Sequence, residues 1–200
     1  YNFVQNSCFL ISLASNKGVI LEVLGDREIV VKSHVNKGDI WTEESSGTNS
    51  TSLCLTMQKP IQVFAAEHFC KSAHKWTCSS APIFDENKQF IGVLNMAGEY
   101  TKVHLHTLGM VVAGANAIEN NMRIQKSLNE ATIADNYKNA IIESIDEGIL
   151  VLNKDKTIGH INSNAKILLK IPAGKKVISQ PINNILGDNH PLTRKIEKCF

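Results

Sequence analysis

The sequence predicts an α+β fold from strand-like alternation closed by polar turns and from one sustained helical periodicity. The alternation is clearest at Ala81-Pro82-Ile83-Phe84 and Phe90-Ile91-Gly92-Val93-Leu94-Asn95-Met96-Ala97, with the polar turn Asp85-Glu86-Asn87-Lys88 between them. Two apolar runs separated by a short polar segment read as a β-hairpin. The helical signal runs from Thr107 to about Ile145. Leu108, Val111, Ala115, Ile118 and Met122 recur at steps of three and four, and the stripe then shifts to Ile124, Leu128, Ala131, Ala134, Tyr137, Ile141 and Ile145. No proline interrupts it, and it predicts a helix on the order of 60 Å long at 1.5 Å per residue. Its polar middle, Asn120 to Glu130, and the shifted stripe suit a connector that closes one domain and opens another.

The remaining elements follow in chain order. Asn6–Ser15 and Val19–Leu24, joined by Asn16-Lys17-Gly18, form a predicted hairpin closed by Gly25-Asp26. Arg27-Glu28-Ile29-Val30-Val31 fits a short helix or a strand equally well. A helix is expected over about 50–58, capped by Thr48 or Asn49, whose side-chain oxygens can accept from the free N–H groups of its first turn. Pro60–Phe64 reads as a short strand. After Gly148, Ile149–Asn153 and Thr157–Asn162 flank the turn Lys154-Asp155-Lys156, and a short helix starts near Ser163. Further short helices are expected at 183–186 and 192–200.

Composition bounds the function. Of 200 residues, 43% are hydrophobic and 20% charged, with a net charge of +2. No basic cluster tracks phosphates, so direct nucleic-acid contact is not expected. No apolar run reaches the length needed to span a bilayer, and no signal peptide is visible. The five cysteines, at 8, 54, 70, 78 and 199, contain no C-x-x-C pair, which argues against a disulfide framework and points to a reducing cytoplasm. Cys8, Cys54 and Cys199 read as small, mostly buried apolar residues. The first residue is Tyr1, so a piece of a longer protein is expected.

Residues 67–82 hold the densest chemistry. His68, Cys70, His74 and Cys78 fall within eleven positions and carry donors that suit zinc or iron. Their spacing, H-x-C-x3-H-x3-C, matches no standard zinc finger, and on a helix His74 would leave the face of His68. No metal is therefore expected, with this quartet as the alternative, and no cofactor is expected. Catalysis has no support: there is no G-x-S-x-G elbow, no S-x-x-K and no G-x-x-x-x-G-K-[ST] loop, so no catalytic residue is assigned.

Residues 1–125 resemble a GAF domain, in the version found at the head of bacterial sigma-54-dependent activators of the acetoin- and glycerol-metabolism type. The match rests on Trp41-Thr42-Glu43-Glu44 with Gly47-Thr48-Asn49, on Glu67-His68-Phe69, and on Trp76-Thr77-Cys78-Ser79-Ser80-Ala81-Pro82-Ile83-Phe84-Asp85. It continues at Gly92-Val93-Leu94, at His104-Leu105-His106-Thr107-Leu108-Gly109 and at Ala117-Ile118-Glu119-Asn120. The departures are Leu105, where the family usually has Pro, and Asn87-Lys88-Gln89, which lacks the usual turn glycine. Residues 136–200 resemble the first half of a PAS domain, through Asn139–Ile149 and Ile161-Asn162-Ser163-Asn164-Ala165. The helix over 107–145 overlaps both domains.

The resemblance implies an antiparallel sheet flanked by helices, joined by the long helix to a truncated PAS domain. It implies a cytoplasmic sensory region without enzymatic activity. A small-molecule effector would bind near 67–82, and a homodimer would pack along Ile118, Met122, Leu128 and Ile141. RNA polymerase with sigma-54 would be reached only through domains absent from this stretch. The candidate ligand residues are Trp41, Glu44, Thr48, Asn49, His68, Trp76 and Cys78, with core packing the alternative for the two tryptophans and capping the alternative for Thr48 and Asn49. His104 and His106 are expected to lead into the long helix. The rival functions are a module that docks a metabolic enzyme subunit and a metal or redox sensor built on Cys70, Cys78, His68 and His74.

Overall fold

The computed structural model describes residues 7–102, 104, 106–172 and 174–197. The chain divides into two compact units, Tyr1–Ser127 and Leu128–Phe200. The first unit is built on an antiparallel sheet of order β2-β1-β5-β4-β3, from β1 (Phe9–Ser15), β2 (Ile20–Gly25), β3 (Ile61–Phe64), β4 (Trp76–Phe84) and β5 (Phe90–Glu99). Three helices precede β3: α1 (Arg27–Ser33), α2 (Glu43–Ser46) and α3 (Ser50–Met57). Helix α4 (Thr107–Ser144) begins in this unit and runs into the next. The fold is α+β.

Strand alternation divides the side chains between the two faces of the sheet. On one face Phe9, Ala81, Ile83 and Met96 pack with Val111 and Ala115 of α4. On the other, Leu10, Trp76, Cys78 and Ala97 pack with Ile29 of α1, and Ala14 and Val93 pack with Cys54 of α3. Gly98 makes the first face possible, because a Cβ there would lie 2.4 Å from the Phe9 ring.

The ambiguous segment 27–31 is helix. Its Ile-Val-Val run favours a strand by propensity, but the helix buries Ile29, half-buries Val30 and leaves Val31 65% exposed. Glu28 and Lys32 support it as an i, i+4 pair at 2.8 Å. Helix α2 falls in a stretch to which the sequence reading assigned no element. The N–H of Thr42 donates to Ser45 Oγ (3.1 Å), and the N–H of Gly47 closes the turn on the Glu43 carbonyl (2.9 Å). Gly47 sits at φ +68, and a Cβ there would meet the Phe69 side chain at 2.4 Å, so glycine is required on both counts.

Strand β4 starts at Trp76, five residues before the expected Ala81, so the second part of the 67–82 segment is sheet. Thr77, Ser79 and Ser80 hide it from a hydrophobicity reading, yet all three are buried in the ladder between β3 and β5. Pro82 lies beyond the Ile61↔Ser80 end of β3, where β4 has no neighbour on that side and a missing N–H costs nothing. The β4–β5 turn closes without glycine. Asp85 Oδ1 accepts from the N–H groups of Asn87 and Gln89, both at 2.8 Å, while Lys88 takes φ +63.

The carbonyls of His104 and His106 accept from Thr107 and Met110 at the start of α4. The expected dimer stripe needs correction at its first half. Ile118 packs against the sheet core and Met122 is partly buried, whereas Ile124, Leu128, Ile133, Tyr137 and Ile141 are exposed.

The second unit pairs β6 (Leu150–Leu152) with β7 (Ile158–Ile161) and adds α5 (Ser163–Leu168), α6 (Ile182–Leu186) and α7 (Pro191–Glu197). Ile158, Ile161, Ala165, Val177 and Ile182 form its core. Asn162 organises it. Its Oδ1 accepts from the N–H groups of Ile149 (2.8 Å) and Ala165 (2.9 Å), and its Nδ2 donates to the carbonyls of Ile142 (3.2 Å) and Glu147 (2.8 Å). One fully buried amide thus caps α5 and ties the end of α4 to the hairpin. Leu105 and Cys199 lie outside the described residues.

Candidate functional site

A cavity of about 380 Å3 lies on the α1–α3 side of the sheet. This is within the size range of small-molecule pockets. Its floor is sheet: Ser12 of β1, Asn95 and Ala97 of β5, and Trp76 and Cys78 of β4. One wall is the end of α1 with Lys32 to Val35, and another is Trp41, Ser45, Ser46, Thr48 and Asn49. His68, Cys70, Ser72, Ala73 and Lys75 cover it from the segment before β4.

Six of the seven residues expected at a ligand site meet here: Trp41, Thr48, Asn49, His68, Trp76 and Cys78. Glu44 does not line the cavity and is exposed. Its neighbour Glu43 has the structural part, accepting from Thr48 Oγ1 (2.7 Å) and Ser52 Oγ (2.9 Å) and so binding α2 to α3. Asn49 is the cap of α3: its Oδ1 accepts from the Ser52 N–H at 2.9 Å, and its Nδ2 donates to the Gly47 carbonyl at 2.8 Å.

Two floor residues carry no motif. Ser12 and Asn95 face each other across the β1–β5 ladder. Asn95 Nδ2 donates to Ser12 Oγ (3.1 Å), and its Oδ1 is met by Ser50 Oγ (3.1 Å) and Ser80 Oγ (3.2 Å), with those two hydroxyls 2.9 Å apart. All four side chains are buried. Ser12 Oγ accepts from Asn95 through one lone pair, and its proton has no acceptor among the described residues. The available signal was a lone amide inside the apolar run Val93-Leu94-Asn95-Met96-Ala97.

His68 is 3% exposed. Its Nδ1–H donates to the Ala65 carbonyl at 3.0 Å, and the His68 carbonyl accepts from His74 Nε2 at 3.0 Å, which fixes both ring and backbone. Burial pushes the imidazole below its ordinary range, so the ring is neutral with the proton on Nδ1 and a lone pair on Nε2. Nε2 is buried and has no partner among the described residues.

The linkage sign follows. An unfolded histidine protonates near pH 6.5, whereas the folded ring resists, so native stability falls as pH drops through about 6.5. Urea titrations of the wild type and His68→Gln should show the wild type losing stability relative to the variant as pH falls below that value. A difference that stays constant with pH would remove the neutral-histidine assignment.

The buried thiols are not poised for chemistry. Burial pushes Cys78 up to about 12, leaving it protonated at neutral pH. Cys70 is exposed, with its Sγ against the Ser46 carbonyl at 3.5 Å. Among the described residues no group of three or more His, Cys, Asp or Glu side chains is placed to hold a metal ion. The His68, Cys70, His74 and Cys78 quartet is therefore not assembled as a ligand set. Both imidazoles are engaged with backbone carbonyls, and Cys78 is spent on the core. No acidic side chain lines the cavity among the described residues, and its cations are Lys32, which is paired with Glu28, and Lys75.

Comparison with known proteins finds similarity to transcriptional regulators. The chain is 33% identical over 198 residues to the signal-transduction and transcriptional-control protein of Clostridium beijerinckii, covering 97% of this chain and 31% of that protein. Other relatives are regulators of metabolic operons. The acetoin dehydrogenase operon transcriptional activator AcoR of Bacillus subtilis (strain 168) is 28% identical over 136 residues, 66% of this chain and 22% of AcoR. The chain therefore spans about a third or less of these curated relatives. No protein-family model matches it. Among solved structures, the E. coli DhaR(N)–DhaL complex matches with a TM-score of 0.82 at 22% identity, over 96% of this chain and 66% of that one, which establishes a shared fold. No helix among the described residues is long and apolar enough to cross a membrane.

Proposed function

We propose that this chain is the cytoplasmic sensory region of a sigma-54-dependent transcriptional activator. In this reading residues 1–125 are a GAF domain, residues 107–145 a connecting helix, and residues 136–200 the N-terminal part of a PAS domain. A small metabolite binds the cavity of the first domain, in contact with Trp41, Thr48, Asn49, His68, Trp76 and Cys78. The observation that carries the reading is the cavity itself: about 380 Å3, lined by two tryptophans and buried polar groups, in a relative of transcriptional regulators. A 2-1-5-4-3 sheet with α4 on one face and the cavity on the other supports the GAF assignment. A hairpin followed by short helices supports the PAS assignment.

Occupancy shifts an equilibrium only by its differential affinity for two arrangements. The element proposed to be biased is a dimer along α4. Ile133, Tyr137 and Ile141 are exposed at i, i+4 and i+8, an apolar row that a second copy would cover. RNA polymerase with sigma-54 and DNA are reached only through other parts of such a protein. A thermal-shift screen of the 200-residue chain against a broad metabolite panel is expected to raise the melting temperature for at least one compound. Sedimentation as a monomer at high concentration would sink the dimer relay.

A second reading is supported by a specific observation. One solved structure with this fold is a DhaR(N)–DhaL complex, so a domain of this architecture assembles with another protein. Here Phe69 is 76% exposed beside the cavity wall at Gly47, and Phe64 and Tyr100 stack edge-on at a 6.0 Å centroid distance on the surface. Silence across the metabolite panel favours such a docking module.

A further inference from the structure

We infer that residues 65–75 are a strap that opens and closes the cavity, hinged at the sheet and latched by Phe69 on Gly47 and Thr48. The inference rests on the reading of the cavity as a small-molecule site and goes beyond it by naming how the site is entered. The strap joins β3 to β4 and brings His68, Cys70, Ser72, Ala73 and Lys75 over the cavity. It is braced within itself. It holds two short 3-10 turns, Ala65–Glu67 and Lys71–Ala73. His68 Nδ1 meets the Ala65 carbonyl at 3.0 Å, and His74 Nε2 meets the His68 carbonyl at 3.0 Å. These bonds keep the shape of the strap whether or not it touches the opposite wall.

Both ends are tied to the sheet. The Phe64 N–H donates to Glu67 Oε2 at 2.6 Å, and the Lys75 carbonyl accepts from the Tyr100 N–H at 3.0 Å. Ala65 stands at φ +44, a conformation that a residue with a Cβ seldom holds, so the strap has a bending point where it leaves β3. Its middle meets the opposite wall through one pair of residues. The Phe69 N–H donates to the Thr48 carbonyl at 3.0 Å, and the Phe69 side chain lies on Gly47. Beside it, Cys70 Sγ is a weak donor 3.5 Å from the Ser46 carbonyl. Of residues 65–75 only His68 is buried. A segment with so few buried contacts opens at far lower cost than the sheet beneath it. The wall is the fixed side, because Glu43 holds the Thr48 hydroxyl and Asn49 holds the Gly47 carbonyl. The stretches Gly47-Thr48-Asn49 and Glu67-His68-Phe69, separate in the sequence, meet as the two halves of one latch.

The test needs no ligand. Cys78 lies on the cavity floor, whereas Cys54 is buried in the core and does not line the cavity. In the 200-residue chain with Cys8, Cys70 and Cys199 replaced by serine, these two thiols are reacted with methyl methanethiosulfonate and followed by mass spectrometry. Serine at position 70 keeps a donor toward the Ser46 carbonyl. Opening of the strap exposes Cys78 alone, and global unfolding exposes both. Cys78 is expected to react about tenfold or more faster than Cys54. Phe69→Ala removes an apolar contact at a residue already 76% exposed, so it should speed Cys78 about threefold or more and leave Cys54 unchanged. Phe69→Leu, which keeps an apolar side chain against Gly47, should stay near the parent rate. The two thiols reacting in step, or Phe69→Ala accelerating neither or both together, would overturn the strap and leave a fixed wall over the cavity. Silence in the metabolite screen with the selective Cys78 reaction intact would remove the small-molecule reading and keep the strap.

Discussion

Replacing Asn162 by Ala is expected to unfold the second unit while the first survives. The amide closes four hydrogen bonds at a fully buried position, and its loss orphans the N–H groups of Ile149 and Ala165 together with the carbonyls of Ile142 and Glu147. Loss of the cap costs about 1 kcal/mol, and buried groups left unpaired raise the total to about 3–4 kcal/mol. A small unit has only about 0.05–0.15 kcal/mol per residue in hand, so this is a large share of its stability. Hydrogen exchange should show β6, β7 and α5 losing protection while β1, β4 and β5 keep theirs. Retained protection at Ile149 and Ala165 would refute the role given to Asn162. The Asn162→Asp variant separates the two halves of the amide. It keeps the acceptor for both N–H groups but sets a carboxylate oxygen against two carbonyls, so most of the loss should persist at neutral pH.

The second large effect is expected in the first unit from Asn95→Ala. Asn95 is the common partner of Ser12, Ser50 and Ser80, three buried hydroxyls drawn from β1, α3 and β4. Truncation leaves a void at the cavity floor and strips those hydroxyls of their shared amide, although Ser80 can still donate to Ser50. A cost of about 2–4 kcal/mol is expected. Both tryptophans of the chain, Trp41 and Trp76, lie in this unit, so their fluorescence reports on it alone. Asn95→Ala should move the fluorescence-detected urea midpoint, and Asn162→Ala should leave it nearly in place. If Asn95→Ala shifts the midpoint by less than the equivalent of about 0.5 kcal/mol, typical of an ordinary surface change, the buried network contributes little.

These two asparagines mark where local sequence reading stops. Hairpins at 9–25 and 81–97, the connector helix and the Asn49 cap are local events, and their signals sit within a few residues of one another. Strand β4 was legible only in its apolar half, because the burial of Thr77, Ser79 and Ser80 is made possible by partners in β3, β5 and α3. Helix α1 defied its β-branched composition because one side chain, Ile29, had to reach the cluster around Leu10 and Trp76. At the site, aromatic rings and motif polar residues were legible. Ser12 and Asn95 were not, since their meeting spans 83 positions and is decided by strand order. Glu44 does not line the cavity, and the acid next to it, Glu43, stitches α2 to α3.

The contrast between Cys78 and Cys70 has a practical consequence. Cys54 and Cys78 are buried, and both are pushed up to about 12, so neither supplies thiolate at neutral pH, whereas Cys70 is exposed and lines the cavity. Alkylating reagents act on the thiolate, so with Cys8 and Cys199 replaced by serine, a maleimide dye would attach at one place, the rim of the cavity. That variant would carry its handle at a native cysteine, and an environment-sensitive fluorophore there would convert filling of the cavity into an optical signal without an added cysteine.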